Sequence, residues 1–257
     1  MIKAAFFDVD GTLLSHTTKS VPESARDALE RLKAAGIHCV VATGRHITEM
    51  EKLPVADIPF DGYITLNGQI ILDREKKILH GTPITGDAED YLLKLFREKT
   101  VPVLLVEEDR MYLNFADERV ARVQADISTD VPPVGEYNGG TIYQICVYLR
   151  EDEEAILATI ADSCEITRWN RGGVDVIAKG GGKVRGIQRY LEANGLNREE
   201  TIAFGDGDND TQMLKFAHIG VAMGNAWPGT KEAADYITDH VDHDGIANAL
   251  RHFGLID

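Results

Sequence analysis

Asp8 and Asp10 stand one residue apart where the apolar run Ala4-Ala5-Phe6-Phe7 stops, and Gly11 and Thr12 follow at once. Two acids this close repel each other unless they share a cation or a proton. The pair points to a hard-metal site, an acid/base pair, or both. Three other stretches have a similar construction. Val40-Val41-Ala42-Thr43-Gly44-Arg45 carries an apolar run into a hydroxyl, a glycine and a guanidinium, and Phe204-Gly205-Asp206-Gly207-Asp208-Asn209-Asp210 ends another in carboxylates. Gly180-Gly181-Gly182-Lys183 brings an ammonium to the start of a helical pattern. Helix starts favour anions, so a lysine there needs an anion or carboxylates nearby. Gathered in one place, these residues supply acids able to hold Mg²⁺, with Thr43, Lys183 and backbone N–H groups able to hold phosphate oxygens. By composition that is a phosphoryl-transfer site.

Two other readings of the same residues fail on spacing. A calcium loop opening at Asp206 needs glycine sixth and glutamate twelfth, where Thr211 and Ala217 stand. A P-loop ending at Gly182-Lys183 needs a glycine at Ile177 and a hydroxyl at Val184.

The elements that must position these residues alternate strand and helix. In the N-terminal third, strands are expected over Ile2 to Phe7, Ile37 to Ala42 and Tyr63 to Leu66. A helix is expected over Val21 to Ala35, with Ser20 and Glu23 spaced as a capping box, Pro22 in the first turn and Gly36 at the stop, and a short helix after Gly44. The crossover makes the first two strands parallel neighbours, and ligands in such sheets lie beyond the carboxyl ends. The same alternation resumes with helices over Lys183 to Asn194 and Asp208 to Phe216, strands over Thr201 to Phe204 and Ile219 to Ala222, and a last helix from Asp244.

Between about Pro83 and Lys179 the texture changes. Helices are expected at Asp87 to Lys99, Glu118 to Ile127 and Asp152 to Ser163. Strands are expected at Val103 to Val106, Arg110 to Phe115, Ile142 to Leu149, Glu165 to Trp169 and Val174 to Ala178. Short strands with intervening helices suggest an inserted α+β module on an antiparallel sheet. The expected division is residues 1–82 and 181–257 for an α/β core and 83–180 for the insertion.

Composition sets further bounds. The 257 residues are 44% hydrophobic, enough for a packed core, and carry a formal charge of -15 from 42 acids and 27 bases. That balance disfavours nucleic acid and anionic membrane as partners, since phosphate backbones are held by clustered Lys and Arg. No leader pattern opens the sequence and no apolar run nears the ~20 residues of a membrane span, so a cytoplasmic location is expected. Cys39, Cys146 and Cys164 are odd in number and widely spaced, as expected of reduced core thiols.

On these motifs the chain resembles a haloacid dehalogenase superfamily phosphatase of the Cof type. Asp8-Val9-Asp10-Gly11-Thr12 matches the first motif of that family and Thr43-Gly44-Arg45 the second. Lys183 matches the third, and Gly205-Asp206 with Asn209-Asp210 the fourth. Asn67-Gly68 is similar to the stretch preceding the cap, and Asp175-Val176-Ile177 to the stretch leading out of it.

The resemblance implies a Rossmann-like core with an inserted C2 cap, of C2B type. It implies a Mg²⁺-dependent phosphatase for a small phosphate ester, a sugar phosphate or a phosphorylated cofactor. Asp8 would be the nucleophile and Asp10 the proton shuttle. The metal would be held by Asp8, the Asp10 backbone carbonyl and Asp206, with Asp210 beside it or as a further ligand. Thr43, Gly44, Lys183 and Asn209 would hold phosphate oxygens. A phosphosugar mutase of the same superfamily and a non-catalytic sensor of phosphometabolites are the rival functions; the oligomeric state is not fixed by the sequence. Arg45, and Arg168, Trp169 and Arg171 near the end of the insertion, are candidate substrate contacts. The run Asp239-His240-Val241-Asp242-His243-Asp244 is expected to be an acidic loop before the last helix, with Asp242 or Asp244 near its N-cap.

Overall fold

The computed structural model describes residues 1–126 and 129–257. The chain divides into two compact units, Met1–His80 with Gly182–Asp257, and Gly81–Gly181. The first unit contains β1 (Ala4–Phe7), α1 (Glu23–Ala34), β2 (His38–Ala42), α2 (Ile47–Met50), β3 (Gly62–Thr65), β4 (Ile70–Asp73) and β5 (Ile78–Gly81), whose last residue opens the second unit. The second unit follows with α3 (Asp87–Glu98), β6 (Val103–Val106), β7 (Met111–Leu113), α4 (Glu118–Asp126), β8 (Gln144–Val147), β9 (Cys164–Asn170) and β10 (Gly173–Ala178). The chain then returns to the first unit through α5 (Lys183–Asn194), β11 (Thr201–Gly205), α6 (Thr211–Phe216), β12 (Ile219–Ala222), α7 (Pro228–Ala233), β13 (Tyr236–Ile237) and α8 (Gly245–His252).

In the first unit the sheet order is β13-β12-β11-β1-β2-β3-β4-β5. The strands from β13 to β3 are parallel, and β4 turns back antiparallel on β3. β1 is central and all four of its residues are fully buried, as expected of a parallel strand covered on both faces. Phe7 stacks on Phe204 of the adjacent strand at 5.0 Å, and Phe6 meets Tyr190 of α5 edge-on at 6.0 Å. α1 buries Ala25, Ala28, Leu29 and Leu32, a single stripe of its surface.

Register brings the site together. Phe7 pairs with Val41 of β2 on one side and Phe204 of β11 on the other. The chain segments beginning at Asp8, Thr43 and Asp206 therefore leave the same edge of three adjacent parallel strands.

The second unit is a five-stranded sheet in the order β7-β6-β8-β10-β9, antiparallel throughout. Alternate residues Val103 and Leu105, Ile145 and Val147, and Val174 and Val176 share one buried cluster with Leu92, Leu93 and Phe96 of α3.

Several elements depart from the sequence expectations. The Ser20/Glu23 capping box does not form. Pro22 is the N-cap, and the Ser20 hydroxyl pairs with Thr18 instead. The helix expected over Asp208 to Phe216 opens as a 3-10 turn at Asp208–Asp210, and the one expected over Asp152 to Ser163 is a 3-10 helix over Glu151–Ile160. The hairpin of β4 and β5, and α7 with β13, were not anticipated. Ile127, placed at the end of the fourth expected helix, lies outside the described residues.

Candidate active site

β1 delivers Asp8 to the sheet edge almost wholly buried, 6% exposed, with its N–H held by the Phe204 carbonyl at 3.0 Å. The chain must then turn sharply, and Gly11 does so at φ 79°. A Cβ at Gly11 would come within 2.2 Å of the Asp206 carboxylate, so the glycine both makes the turn and admits that acid. Thr12 donates its hydroxyl to Asp206 Oδ1 at 3.1 Å.

Lys183 opens α5 and points its ammonium into the same space. Its Nζ donates to Asp8 Oδ1 at 2.6 Å and to Asp210 Oδ1 at 2.7 Å. The other oxygen of Asp210 accepts the backbone N–H groups of Asp206 and Gly207 at 3.0 and 2.9 Å, which shapes the loop after β11. Lys183 at a helix start is thus explained by two carboxylates. Burial alone would lower its pKa, but Asp210 and Asp8 outweigh burial and hold the ammonium above its ordinary value.

One ammonium is not enough for the acids around it. Asp8, Asp206 and Asp210 offer carboxylate oxygens all within 4.8 Å of one another. Three carboxylates against the single Lys183 charge leave an excess of two negative charges. Burial first, then Asp210, push Asp8 well above the carboxylate range despite Lys183. The same two causes, in the same order, raise Asp206 to about 7. An all-oxygen cluster with this excess suits a hard dication such as Mg²⁺, which binds through a few carboxylates and keeps waters.

The Asp10 carboxylate is not one of that cluster. Its carboxylate takes a two-pronged ion pair from Arg45, Nε to Oδ2 at 2.6 Å and Nη2 to Oδ1 at 2.9 Å. Arg45 is itself placed by the end of β2, where its N–H donates to the Thr43 hydroxyl at 3.1 Å. Thr43 is buried, and Gly44 lies between these two residues, beside the Asn67 amide. Asn209 is exposed and donates to Asn67 Oδ1 at 3.4 Å. The first unit therefore brings together Asp8, Asp10, Thr43, Gly44, Arg45, Lys183, Asp206, Asn209 and Asp210.

The other sequence candidates belong to the second unit or to the loop before α8. Arg168 is committed within the second unit. It pairs with Glu154 at 2.5 Å and donates to the carbonyls of Leu149, Asn170 and Arg171, clamping the bulge where β9 leaves β10. Trp169 is 36% exposed and Arg171 is exposed. Asp244 is the N-cap residue of α8, without a side-chain cap bond, and among the described residues no metal-type cluster forms around His240 and His243. All three cysteines are buried and free.

Asn225 was missed. Its Nδ2 donates to the Gly11 carbonyl at 2.8 Å and to Asp206 Oδ2 at 3.3 Å, while its Oδ1 accepts the Val241 N–H at 3.0 Å. It ties the turn after β1 to the loop after β12. The signal was available, since Met223-Gly224-Asn225 also follows the carboxyl end of a core strand.

Comparison with known proteins bears on the family of the chain. The sequence model of a family described as haloacid dehalogenase-like hydrolase matches residues 5–250. The Bacillus subtilis protein YkrA is 35% identical, over 99% of this chain and 98% of its own. The 5-amino-6-(5-phospho-D-ribitylamino)uracil phosphatase YcsE of the same organism is 31% identical, over 99% of this chain and 96% of its own. The solved structure of BT4131, described as a haloacid dehalogenase subclass IIB sugar phosphatase, superposes with a TM-score of 0.84 at 36% identity, covering 99% of this chain and all of that one. No helix among the described residues is long and apolar enough to cross a membrane.

Proposed function

The chain belongs to the haloacid dehalogenase-like hydrolases, and from that membership we propose that it is a Mg²⁺-dependent phosphatase of small phosphate monoesters working through an aspartyl-phosphate at Asp8. The observation that carries this reading is the buried Asp8 at the end of β1, sharing Lys183 with Asp210 and lying within metal-ligand reach of Asp206. The relatives named as acting on a phosphoribitylamino-uracil and on sugar phosphates support a phosphorylated sugar or cofactor-like metabolite as substrate.

Asp8, Asp206 and the Asp10 backbone carbonyl would hold the metal. Asp210 has less to offer it, because its oxygens already serve Lys183 and two backbone N–H groups. When bound, the ion would offset the charge of the acids and of the phosphoryl oxygens. The rest of the work falls to the chain. An Asp8 oxygen attacks phosphorus as the bond to the leaving oxygen breaks, and Asp10 gives that oxygen its proton. Water then attacks the phosphorus of the acyl phosphate and loses a proton to Asp10. The bond to Asp8 breaks, and phosphate leaves. Lys183 keeps Asp8 oriented and, with the Thr43 hydroxyl and the Gly44 N–H, holds transferring oxygens. Arg45 takes both oxygens of Asp10 in its two-pronged pair, so that pair must open before Asp10 can carry a proton to the leaving oxygen.

The test is phosphate release from p-nitrophenyl phosphate and a panel of phosphometabolites, with and without Mg²⁺, in the wild type and Asp8→Asn. Release that requires Mg²⁺ and is abolished in Asp8→Asn is expected. Equal rates in the two proteins overturn the nucleophile assignment. No release from any ester favours a sensor, and isomerisation of a hexose phosphate without net release favours a mutase.

A further inference from the structure

Two of the groups assigned to the metal, the Asp206 carboxylate and the Asp10 backbone carbonyl, stand on different segments, and one side chain grips both segments. Asn225, half-buried on the loop after β12, spends both N–H bonds of its amide on acceptors, the Gly11 carbonyl at 2.8 Å and Asp206 Oδ2 at 3.3 Å. Its Oδ1 accepts the Val241 N–H at 3.0 Å. Among short polar side chains only an amide supplies two donors and an acceptor, since a hydroxyl has one proton and a carboxylate none. The loop that carries it is anchored in turn. The Met223 N–H donates to the Gly205 carbonyl at 3.0 Å, the Gly224 N–H to the Asp239 carbonyl at 2.9 Å, and the Lys231 ammonium to the Gly224 carbonyl at 2.7 Å.

The grip reaches the oxygens themselves. The Gly11 N–H shares one planar trans peptide with the Asp10 carbonyl and donates to the Leu14 carbonyl at 2.9 Å, so the Asp10 carbonyl points the opposite way. Asn225 holds the next carbonyl, that of Gly11, and the residue is fixed at both ends. Asp206 is held at four atoms. Its Oδ1 takes the Thr12 hydroxyl at 3.1 Å and its Oδ2 takes Asn225, while its N–H goes to Asp210 Oδ2 and its carbonyl accepts the Trp227 N–H, both at 3.0 Å. The last torsion of an aspartate is broad when free; with a bond at each oxygen it is pinned.

We propose that Asn225 is a positioning residue of the metal site: it locks the Asp206 carboxylate and the turn at Gly11 into one mutual arrangement, and this rigidity makes the site prefer Mg²⁺ to Ca²⁺. The proposal rests on the metal-dependent phosphatase reading and adds to it what sets the choice of ion. Mg²⁺ is small and demands oxygens in near-octahedral places, whereas Ca²⁺ takes more ligands in a flexible geometry. Freeing the two segments to move against each other therefore costs Mg²⁺ more than Ca²⁺. Hydrogen bonds that orient ligands in this way carry a large share of metal affinity.

The experiment titrates chelator-treated full-length protein with MgCl₂ and with CaCl₂ by calorimetry, in the wild type, Asn225→Ala and Asn225→Asp. Thermal denaturation checks that each variant is folded. Asn225→Asp keeps an acceptor for the Val241 N–H, so the tie to the neighbouring loop survives while both donors are lost. Its added charge attracts the two ions alike. In Asn225→Ala the Mg²⁺ dissociation constant should rise roughly 10–100-fold, and the Mg²⁺ concentration for half-maximal hydrolysis of phenyl phosphate should rise with it. In both variants the ratio of the Mg²⁺ to the Ca²⁺ dissociation constant should rise at least about fivefold over the wild type. An unchanged ratio, with both ions weakened equally, overturns the proposal and leaves Asn225 as a brace for its loop. A ratio that moves only in Asn225→Ala overturns it too, by giving the effect to the Val241 tie, and one that moves only in Asn225→Asp gives it to the new charge. Mg²⁺ binding and phenyl phosphate hydrolysis by the wild type test the phosphatase reading separately.

Discussion

Replacing Lys183 by methionine removes the one cation shared by Asp8 and Asp210 while keeping most of the side-chain volume. Lys183 is 3% exposed, Asp8 6% and Asp210 0%, so neither acid can turn to solvent for compensation. At an effective dielectric of 20, each contact carries a gross attraction of about 6 kcal/mol, most of it offset by the cost of burying the charges. Breaking a buried pair by deleting one partner costs about 3–5 kcal/mol, because the other charge stays behind. For a chain of this size that corresponds to a loss of roughly 6–20 °C in the melting temperature. Thermal unfolding in the presence of a chelator, at pH 8 and pH 5, reads the effect. The loss should be largest at pH 8 and shrink at pH 5, where Asp8, pushed well above the carboxylate range by burial and then Asp210, can take up a proton and end the repulsion. Adding Asp210→Asn to Lys183→Met should restore part of the stability and none of the activity, which should stay down by at least about a thousandfold. A Lys183→Met protein as stable as the wild type at pH 8 refutes the argument, since the carboxylates would then not depend on Lys183.

Asp206 predicts how Mg²⁺ and pH act together. Its carboxyl titrates at about 7 when folded against ~3.9 when unfolded, so between those values the folded state binds more protons. Stability without metal should therefore decline as pH rises from about 4 to 7, and the melting-temperature gain on adding Mg²⁺ should be larger at pH 8 than at pH 5; an equal gain at both contradicts the metal assignment. Asp10→Asn should lose turnover yet keep Mg²⁺ binding by calorimetry, because only its backbone carbonyl is assigned to the metal; loss of binding would contradict that. Burial first, then Asp61, push the Cys39 thiol up to about 12. A thiol-specific reagent at pH 8 should therefore leave Cys39 unmodified in the folded protein and label it in guanidinium, as peptide mass mapping would show; fast labelling of the folded protein would be the opposite result.

The site was legible in the sequence to the extent that its chemistry is carried by strand ends. Asp8, Thr43 and Asp206 each follow an apolar strand, and parallel pairing of β1 with β2 and β11 suffices to bring them to one edge. Lys183 was legible because a cation at a helix start is out of place without acids to meet it. What one residue does to another was less legible. Spacing does not reveal that Arg45 reaches Asp10, that Asn225 bridges Gly11 and Asp206, or that Arg168 spends its guanidinium on Glu154 and three carbonyls. The hairpin of β4 and β5 was missed because Lys76 takes a left-handed turn conformation without the glycine that usually marks it, at φ 60°. A local contact took the expected cap at the start of α1, where the Ser20 hydroxyl pairs with Thr18 and Pro22 stands at the N-cap.

The central claim is that phosphorus is bonded to Asp8 during turnover. Acid-quenching the wild type during hydrolysis of phenyl phosphate with Mg²⁺, followed by borohydride reduction and peptide mass mapping, reads this directly. An acyl phosphate at position 8 is reduced to homoserine, and the account predicts that change in the peptide holding Asp8 and its absence when substrate is withheld. Rapid turnover with no reduction at Asp8, or reduction at another acid, would contradict it.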